Sequence, residues 1–528
     1  MSLPEPRLRS STAARTLIWV FAIALLYGLY VVGIGNNPPG FYVDESGLSY
    51  NAYLVSTTGA GEFGPRFPLY FQLYAGGFTQ YSNPTQIYLL ALVFKVFGPG
   101  ILIARLFAAA SVFTACLLLG ALAARISGRR TIGVIVAFSA LLTPWLFEVG
   151  RLVLETFFYP MAVVLFLWAV YRASRRDKWT WGIVVTVALT LTLLTYSYTI
   201  GRLLGPLLAL GVICFAVNKG RLLSVFKTWV VYGLTLIPLS VFIWRNPEIT
   251  RRFSLLSYIK PESSMSEIAL RFISRFIEDI NPIRLTTIGD TNQRHHLPDA
   301  FGSFFAAVFI LAVIGVVVIV VRHRSDPWWR FILFGLMASV VPGALTIDSF
   351  HTLRMIAYPI FLLILMVPAL EWLLENKALI EADVAESDEP AVGKGFSVDK
   401  ILTPKRRRGI LAVLLAMTVL EASYFHWKYY QEGGKRGYVF DSAYKPLYDA
   451  AVAQPIRPIY LVDAYWGPAY IHSFWYATIE SRRTDEFIHQ PYGIRPPAGA
   501  IVISTEQNCA GCTMMSRSGD YLLYTTAK

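Results

Sequence analysis

Residues 17–35 read LIWVFAIALLYGLYVVGIG, and residues 36–45 follow at once as NNPPGFYVDE. The first stretch has no charge and is long enough to cross a hydrocarbon core of about 30 Å as a helix. Arg7, Arg9 and Arg15 precede it. Basic residues mark the cytoplasmic end of a membrane helix, so the N-terminus is expected inside. The stretch lacks a clear small-x-small cleavage site, which favours an uncleaved first helix over a signal peptide. The second stretch then carries a proline turn and an acidic pair to the outer surface.

The rest of the chain repeats this grammar. Of 528 residues, 55% are hydrophobic and only 15% charged, against about 25% charged in soluble domains. That composition excludes a soluble enzyme, a disordered chain and a fibrous protein. The net charge of +13 reflects basic turns between apolar blocks. With no basic stripe carrying interleaved aromatics, nucleic acid is not expected as a partner.

Further apolar blocks lie near 101–124, 131–147, 155–173, 179–198, 203–217, 225–244, 301–321, 331–347, 353–374 and 409–427. Basic turns at 125–130, 172–178, 219–227, 322–330 and 405–408 are expected to face the cytoplasm. The stretches 148–154, 199–202, 245–300 and 348–352 then face outward. Residues 84–98, PTQIYLLALVFKVFG, are short and interrupted by Lys95, and counting them as a crossing would turn 125–130 outward. They read as an interfacial or re-entrant helix. The expectation is an all-α polytopic membrane protein of about eleven crossings in the plasma (inner) membrane, N-terminus cytoplasmic and C-terminus outside.

The domain reading follows. Residues 1–374 form the membrane domain, with outer loops at 36–83 and 245–300. Within the second loop, 264–280 has the apolar spacing of a helix lying on the membrane. Residues 375–408 form a cytoplasmic linker, polar and acidic through 375–404. Residues 409–427 are the last crossing. Residues 428–528 form a small α/β domain outside, with strand-like runs at Ile459–Val462 and 500–504. Cys116 and Cys214 read as packing residues. Cys509 and Cys512 read as a local disulfide.

Candidate chemistry concentrates on the outer side. Asp44 and Glu45 lie just beyond the first helix. A carboxylate near an apolar wall can accept a proton from a nucleophile, and its neighbour can orient it, pair with a cation or help bind a metal. Arg151 and Glu155 stand four apart, the spacing of one helix face. They read either as a structural ion pair or as an arginine that receives a phosphate. Tyr198 and Arg202 (YSYTIGR, 196–202), Arg294 and His295 (GDTNQRHHLP, 289–298), and His351 and Arg354 (HTLR) map to the same side. An anion site beside a carboxylate base suits transfer from a lipid phosphate. No Walker A, H-E-x-x-H or G-x-S-x-G sequence is present, so soluble nucleotide donors are unsupported.

These blocks, in this order, resemble the membrane glycosyltransferases of the GT-C superfamily. The nearest likeness is to bacterial relatives of the protein O-mannosyltransferases and of the transferase that puts aminoarabinose on lipid A. It rests on PPGFYVDESGLSYNAY with EFG and PLYF after it, NPTQIYLLALVFKVFG and IARLFAA, PWLFEVGRLVLE, YSYTIGRLLGPLL, GDTNQRHHLP and HTLRMIAYP, across residues 17–375. The resemblance implies a sugar donor linked to polyprenyl phosphate, transfer on the outer face to a protein, lipid or wall glycan, and inversion at the anomeric carbon. It implies Asp44 as the base, with Glu45 beside it. Arg151, Arg202 and Arg354, with His351 as helper, are the candidates for the leaving phosphate. Many relatives carry a lysine in Y-K-P-P-L-Y where this chain has YSNPTQ (81–86). Relatives differ over metal, so a divalent cation stays open and no cofactor is assigned. The competing readings are a carrier or flippase for lipid-linked saccharides, and a polysaccharide polymerase. Charges clustered near the outer helix ends speak against the first, and the early Asp-Glu pair is not needed by the second.

Overall fold

Proline and glycine punctuate the apolar blocks, and the computed structural model follows that punctuation. It describes residues 12–75, 80–375, 402–463, 467–491, 493–505 and 511–527. The linker centred on 376–401 and Cys509 lie outside the described residues; Cys512 is disulfide-bonded.

Helix α1 is Thr12–Tyr30. The first outer loop then opens with a helix that the sparse apolar pattern did not announce, α2 (Val43–Thr58). A short antiparallel pair follows, β1 (Phe71–Gln72) with β2 (Tyr81–Ser82). Helix α3 (Pro84–Phe97) occupies the interrupted apolar stretch. Next come α4 (Ile101–Ser127), α5 (Arg130–Leu142), the short α6 (Pro144–Val149), α7 (Tyr159–Ser174), α8 (Trp181–Ser197), α9 (Gly201–Gly211) and α10 (Lys219–Arg245). The second outer loop contains α11 (Arg251–Leu256) and α12 (Met265–Asp279). Then follow α13 (Ala306–Arg322), α14 (Pro327–Ala338), α15 (Val341–Ala344), α16 (Tyr358–Leu373) and α17 (Pro404–Glu432).

Several expected blocks are broken where proline removes a backbone donor and tolerates only a first helical turn. The block at 131–147 splits at Thr143–Pro144 into α5 and α6. The block at 331–347 splits into α14 and α15, with Pro342 in the first turn of α15. Helix α16 starts at Tyr358, just ahead of Pro359, rather than at 353. Helix α17 is longer than 409–427 because Thr403 caps it, its hydroxyl accepting from Arg406 N, with Pro404 at N1.

Among the described residues three helices are long and apolar enough to cross a bilayer alone: Ile101–Ser127, Lys219–Arg245 and the one starting at Pro404. Shorter apolar helices accompany them. Side chains such as Trp19, Leu234, Trp244 and Leu420 are exposed on their outer faces, as lipid contact requires. Helix packing within the bundle is close: a Cβ on Gly315 of α13 would sit 1.7 Å from the Leu365 carbonyl of α16. The expected amphipathic helix is α12, where Met265, Leu270, Ile273 and Ile277 remain exposed.

The C-terminal domain contains α18 (Tyr444–Val452), β3 (Ile459–Val462), α19 (Tyr470–Ile479), β4 (Phe487–Gln490), β5 (Ile501–Ser504), β6 (Thr513–Ser518) and β7 (Tyr521–Thr525). The sheet order is β4-β3-β5-β7-β6. Strand β3 runs parallel to β4 and β5, and β7 antiparallel to β5 and β6. This domain shares its core with the first outer loop. Trp475 of α19 stacks on Phe41 at 5.7 Å and on Phe94 of α3 at 5.8 Å. At Gly40, with φ +73°, a Cβ would lie 2.3 Å from the Phe440 carbonyl, so only glycine permits that approach.

Trp475→Ala is therefore expected to loosen both segments at once, at a cost of about 3–5 kcal/mol for a large buried aromatic. Limited proteolysis in detergent should cut the first outer loop and the tail together. Cutting of the tail alone would contradict a shared core.

Candidate functional site

Consecutive residues on a helix point about 100° apart, and this separates the acidic pair. In the first turn of α2, Glu45 turns inward and is fully buried. Its carboxylate accepts from Arg105 Nε (3.2 Å) and NH2 (3.0 Å), from Val153 N (3.0 Å) and from Tyr42 N (3.0 Å). Arg105 also donates to the carbonyls of Pro38 (2.7 Å) and Gly40 (2.8 Å). Glu45 thus pairs with a cation, one of the roles expected for it, and lies behind the cavity wall. Asp44 faces the other way, into the cavity. Its Oδ1 accepts from the Tyr74 hydroxyl (2.7 Å) and from Gln80 Nε2 (3.5 Å).

The cavity measures about 640 Å³. Eight of the ten residues singled out from sequence line it: Asp44, Glu155, Tyr198, Arg202, Arg294, His295, His351 and Arg354. They come from α2, the α6–α7 turn, the α8–α9 junction, the second outer loop and the turn before α16. Glu45 and Arg151 do not line it.

Arg151 is a correction. Helix α6 ends at Val149, so Arg151 and Glu155 share no helix face and do not pair. The Arg151 guanidinium is buried and donates to the carbonyls of Tyr30 (2.8 Å), Asn37 (3.2 Å) and Val32. It also lies over the rings of Phe147 and Tyr429. Its place is structural, closing the end of α1 against the α6–α7 turn, and not phosphate-binding as the resemblance implied.

Glu155 instead accepts from the backbone N (3.0 Å) and Nδ2 (3.1 Å) of Asn83 and from the Thr199 hydroxyl (3.3 Å). Asn83 accepts in turn from Arg202 NH2 at 3.4 Å. The cation contacting the turn that lacks the lysine of many relatives is therefore Arg202, whose guanidinium lies 4.8 Å above the Tyr70 ring. Across the cavity Arg354 pairs with Asp348 at 2.8 Å and donates to Thr346 Oγ1 at 2.7 Å. Arg294 stacks 3.5 Å over Tyr42 and donates to the Val439 carbonyl at 3.1 Å.

The adjacent histidines divide as the acidic pair does. His296 is buried, 2.7 Å from Glu148 Oε2 and 2.9 Å from the Phe301 carbonyl. Burial opposes its charge, but Glu148 outweighs burial and raises its pKa. His295 lines the cavity, with Nδ1 3.1 Å from Asp290 Oδ2. The same oxygen accepts from Thr352 N (2.9 Å) and Oγ1 (2.7 Å), while Oδ1 accepts from Asn292 N (2.9 Å). Burial would raise the Asp290 pKa, but the hydrogen bond and charge of His295, with His351, hold it below the usual carboxylate range. His351 packs against His295 at a ring distance of 4.7 Å. Burial, with the charges of His295 and Arg354, pushes its pKa down to about 3. Asp290, His295 and His351 place one ligand atom each within 4.8 Å of one another, the donor types of a divalent cation site.

Sequence reasoning passed over Tyr74 and Gln80, which hold Asp44, over Asn83 and Thr199, and over Asp290. Only Asp290 carried a usable signal. Its D-x-N spacing is that of an Asx turn, and the Asn292 N to Asp290 Oδ1 bond closes one. Asp279 was also missed. At the end of α12 it accepts from Phe350 N at 2.7 Å, bracing the turn that carries His351.

Comparison with known proteins fits this architecture. Residues 82–244 match the family model for dolichyl-phosphate-mannose-protein mannosyltransferase. Among curated protein sequences none matches the chain. The crystal structure of ArnT from Cupriavidus metallidurans bound to undecaprenyl phosphate is similar, with TM-score 0.58 and 13% identity, covering 97% of this chain and 98% of that one. The apo form of the same protein gives 0.57 and 15% over the same coverage. The archaeal oligosaccharyltransferase AglB from Archaeoglobus fulgidus, in complex with an inhibitory peptide and a dolichol-phosphate, gives 0.50 and 13%, covering 90% of this chain and 65% of that one. At these identities the structural likeness speaks for the fold. The chain thus shares the fold of ArnT and AglB, the family match covers residues 82–244 alone, and the apolar helices mark a multi-pass membrane protein.

Burial, opposed by the Phe350 bond and the charges of Arg275 and Arg354, raises the Asp279 carboxyl to about 7. A carboxyl with a raised folded-state pKa binds its proton more tightly folded than unfolded. Stability therefore falls as pH rises from about 4 through 7. Asp279→Asn keeps the acceptor for Phe350 N and removes the titration. Its melting temperature should depend less on pH over this window and exceed the wild type's at pH 8. Parallel pH profiles would assign the loss elsewhere.

Proposed function

We propose that this protein is a GT-C-type glycosyltransferase that moves a sugar from a polyprenyl-phosphate carrier to an acceptor hydroxyl or amine on the outer face of the membrane, with inversion and with Asp44 as general base. The observation that carries this reading is convergence. One cavity of about 640 Å³ holds the Asp44 carboxylate together with Arg202, Arg294 and Arg354, drawn from four separate segments. Its volume is in the range of small-molecule sites, about 300–1,000 Å³. That relatives of this fold were solved with undecaprenyl phosphate and with dolichol-phosphate supports a lipid-linked donor.

In this reading the acceptor X–H proton passes to Asp44. The freed lone pair bonds to the anomeric carbon from the face opposite the phosphate. The bond from that carbon to the phosphate oxygen breaks, and its electrons leave with the lipid phosphate, whose negative charge rises by one. Arg202 and Arg354 meet that charge, since hydrogen bonds between ions are the stronger kind and guanidinium suits phosphate geometry. Tyr74 and Gln80 aim Asp44 and are positioning residues. Arg294, which also lines the cavity, offers a further donor to the phosphate, while Glu155 fixes the turn next to Arg202. In this reading the cavity opens on the outer side, because basic turns such as 322–330 are placed inside by their charge and the tail then lies outside.

Asp44→Asn preserves size while removing the proton acceptor. It should lower the rate of transfer, or of slow donor hydrolysis, by about 10²–10⁴-fold with polyprenyl-phosphate sugars, the usual worth of a general base. Radiolabelled sugar release from a donor panel measures this, and equal rates would remove Asp44 as base. Carriage or binding of the lipid should survive the substitution.

Topology has its own check. An impermeant thiol reagent applied from outside should label Thr57→Cys and Arg517→Cys, both exposed positions, and miss Arg324→Cys. Labelling at Arg324→Cys alone would invert the orientation.

A further inference from the structure

We propose that Asp290, His295 and His351 form a binding site for one divalent metal ion of the zinc class, open toward the cavity. Two imidazoles and one carboxylate, with a remaining position for solvent or substrate, are a common donor set for such ions. Three observations support it.

First, the donor atoms lie within 4.8 Å of one another. Ligands at about 2.1 Å from a tetrahedral ion stand roughly 3.4 Å apart, so modest side-chain rotation closes the set. Second, His351 Nδ1 is buried and has no hydrogen-bond partner among the described residues. A buried imidazole nitrogen left unsatisfied costs free energy, and a metal ion would satisfy it. Third, the carboxylate is already oriented. Thr352 N and Oγ1 and Asn292 N all donate to Asp290, the outer-shell support that metal ligands generally have.

The nearest cation, Arg354, is engaged by Asp348 and Thr346. His295 and His351 line the cavity with Arg294 and Arg354, so the open coordination position faces the space assigned to the phosphate. A phosphate oxygen is the chemical class of ligand that would complete the shell. This last step rests on the proposed function, whereas the metal site itself does not.

The test uses the full-length protein in detergent, stripped with a chelator and titrated with Co²⁺ and Zn²⁺. Wild type should retain about one equivalent after desalting and show the visible Co²⁺ bands of a four- or five-coordinate nitrogen–oxygen site. His351→Gln and Asp290→Asn should each weaken binding at least tenfold. His489→Ala in the distant tail and Asp44→Asn should leave affinity unchanged, and Asp44→Asn should still lower transfer by about 10²–10⁴-fold. The wild-type spectrum is informative even if a variant fails to fold. A spectrum of hexaaqua type, or affinity indifferent to His351→Gln, would overturn the site and leave a hydrogen-bonded Asp290–His295 pair in its place. Undecaprenyl phosphate should shift the Co²⁺ bands; bands that do not move would keep the metal and overturn the phosphate contact.

Discussion

The buried ion pair between Glu45 and Arg105 ties together the parts on which everything else rests. Neither side chain is exposed. Through them the start of α2, the proline turn before it, α4 and the α6–α7 turn meet at one point. A buried pair does not by itself favour stability over a well-packed apolar core. Removing one partner, however, leaves an uncompensated charge, at a cost of about 3–5 kcal/mol. With four donor atoms on one carboxylate, the geometry of α2 is over-determined, and Asp44, one residue before, is aimed as a consequence.

The same device recurs around the cavity. A polar residue fixed in the frame sits beside another that faces the cavity. His296 is locked to Glu148, and next to it His295 lines the wall. Arg151 closes the end of α1, and four residues on, Glu155 orders the Asn83 turn. Thr352 holds Asp290, and the flanking His351 and Leu353 line the cavity. Each frame contact is a side chain answering backbone groups or a buried charge, so the cavity residues inherit positions they do not hold alone. In a membrane protein this matters more than in water, because irregular backbone near the bilayer must be satisfied by protein groups.

Much of this was legible in the sequence, for physical reasons. Apolar blocks and basic turns follow from the cost of burying charge in lipid. Amphipathic α12 followed from apolar spacing, and strands β3 and β5 from short β-like runs. Eight cavity residues were found because polar groups at helix ends need a function or a partner. What could not be read was which member of each neighbouring pair turns inward. Asp44 and Glu45 are chemically near-equivalent, and only the register of α2 against α4 separates them. Arg151 and Glu155 stand four apart, but Pro144 and the early end of α6 remove the helix that the spacing assumed. Helix α2 itself was hidden, since its inner face packs Ser46, Ser49 and Asn51 as well as Leu48.

The tail also reads differently once its contacts are known. By sequence it was a small outer α/β domain at residues 428–528. In the structure Asp441 accepts from Val43 N at 2.9 Å, and His472 Nδ1 lies 2.9 Å from Ser46 Oγ. These contacts reach the residues on either side of Asp44 and Glu45 from a separation of about four hundred positions. The Tyr470 hydroxyl donates to Glu62 at 2.8 Å, pinning the segment just beyond the end of α2. A domain held against the start of α2 and the segment just beyond its end sets the position of Asp44, the proposed base, through the backbone. Changes in the tail would therefore alter turnover by moving α2, and they need not line the cavity to do so.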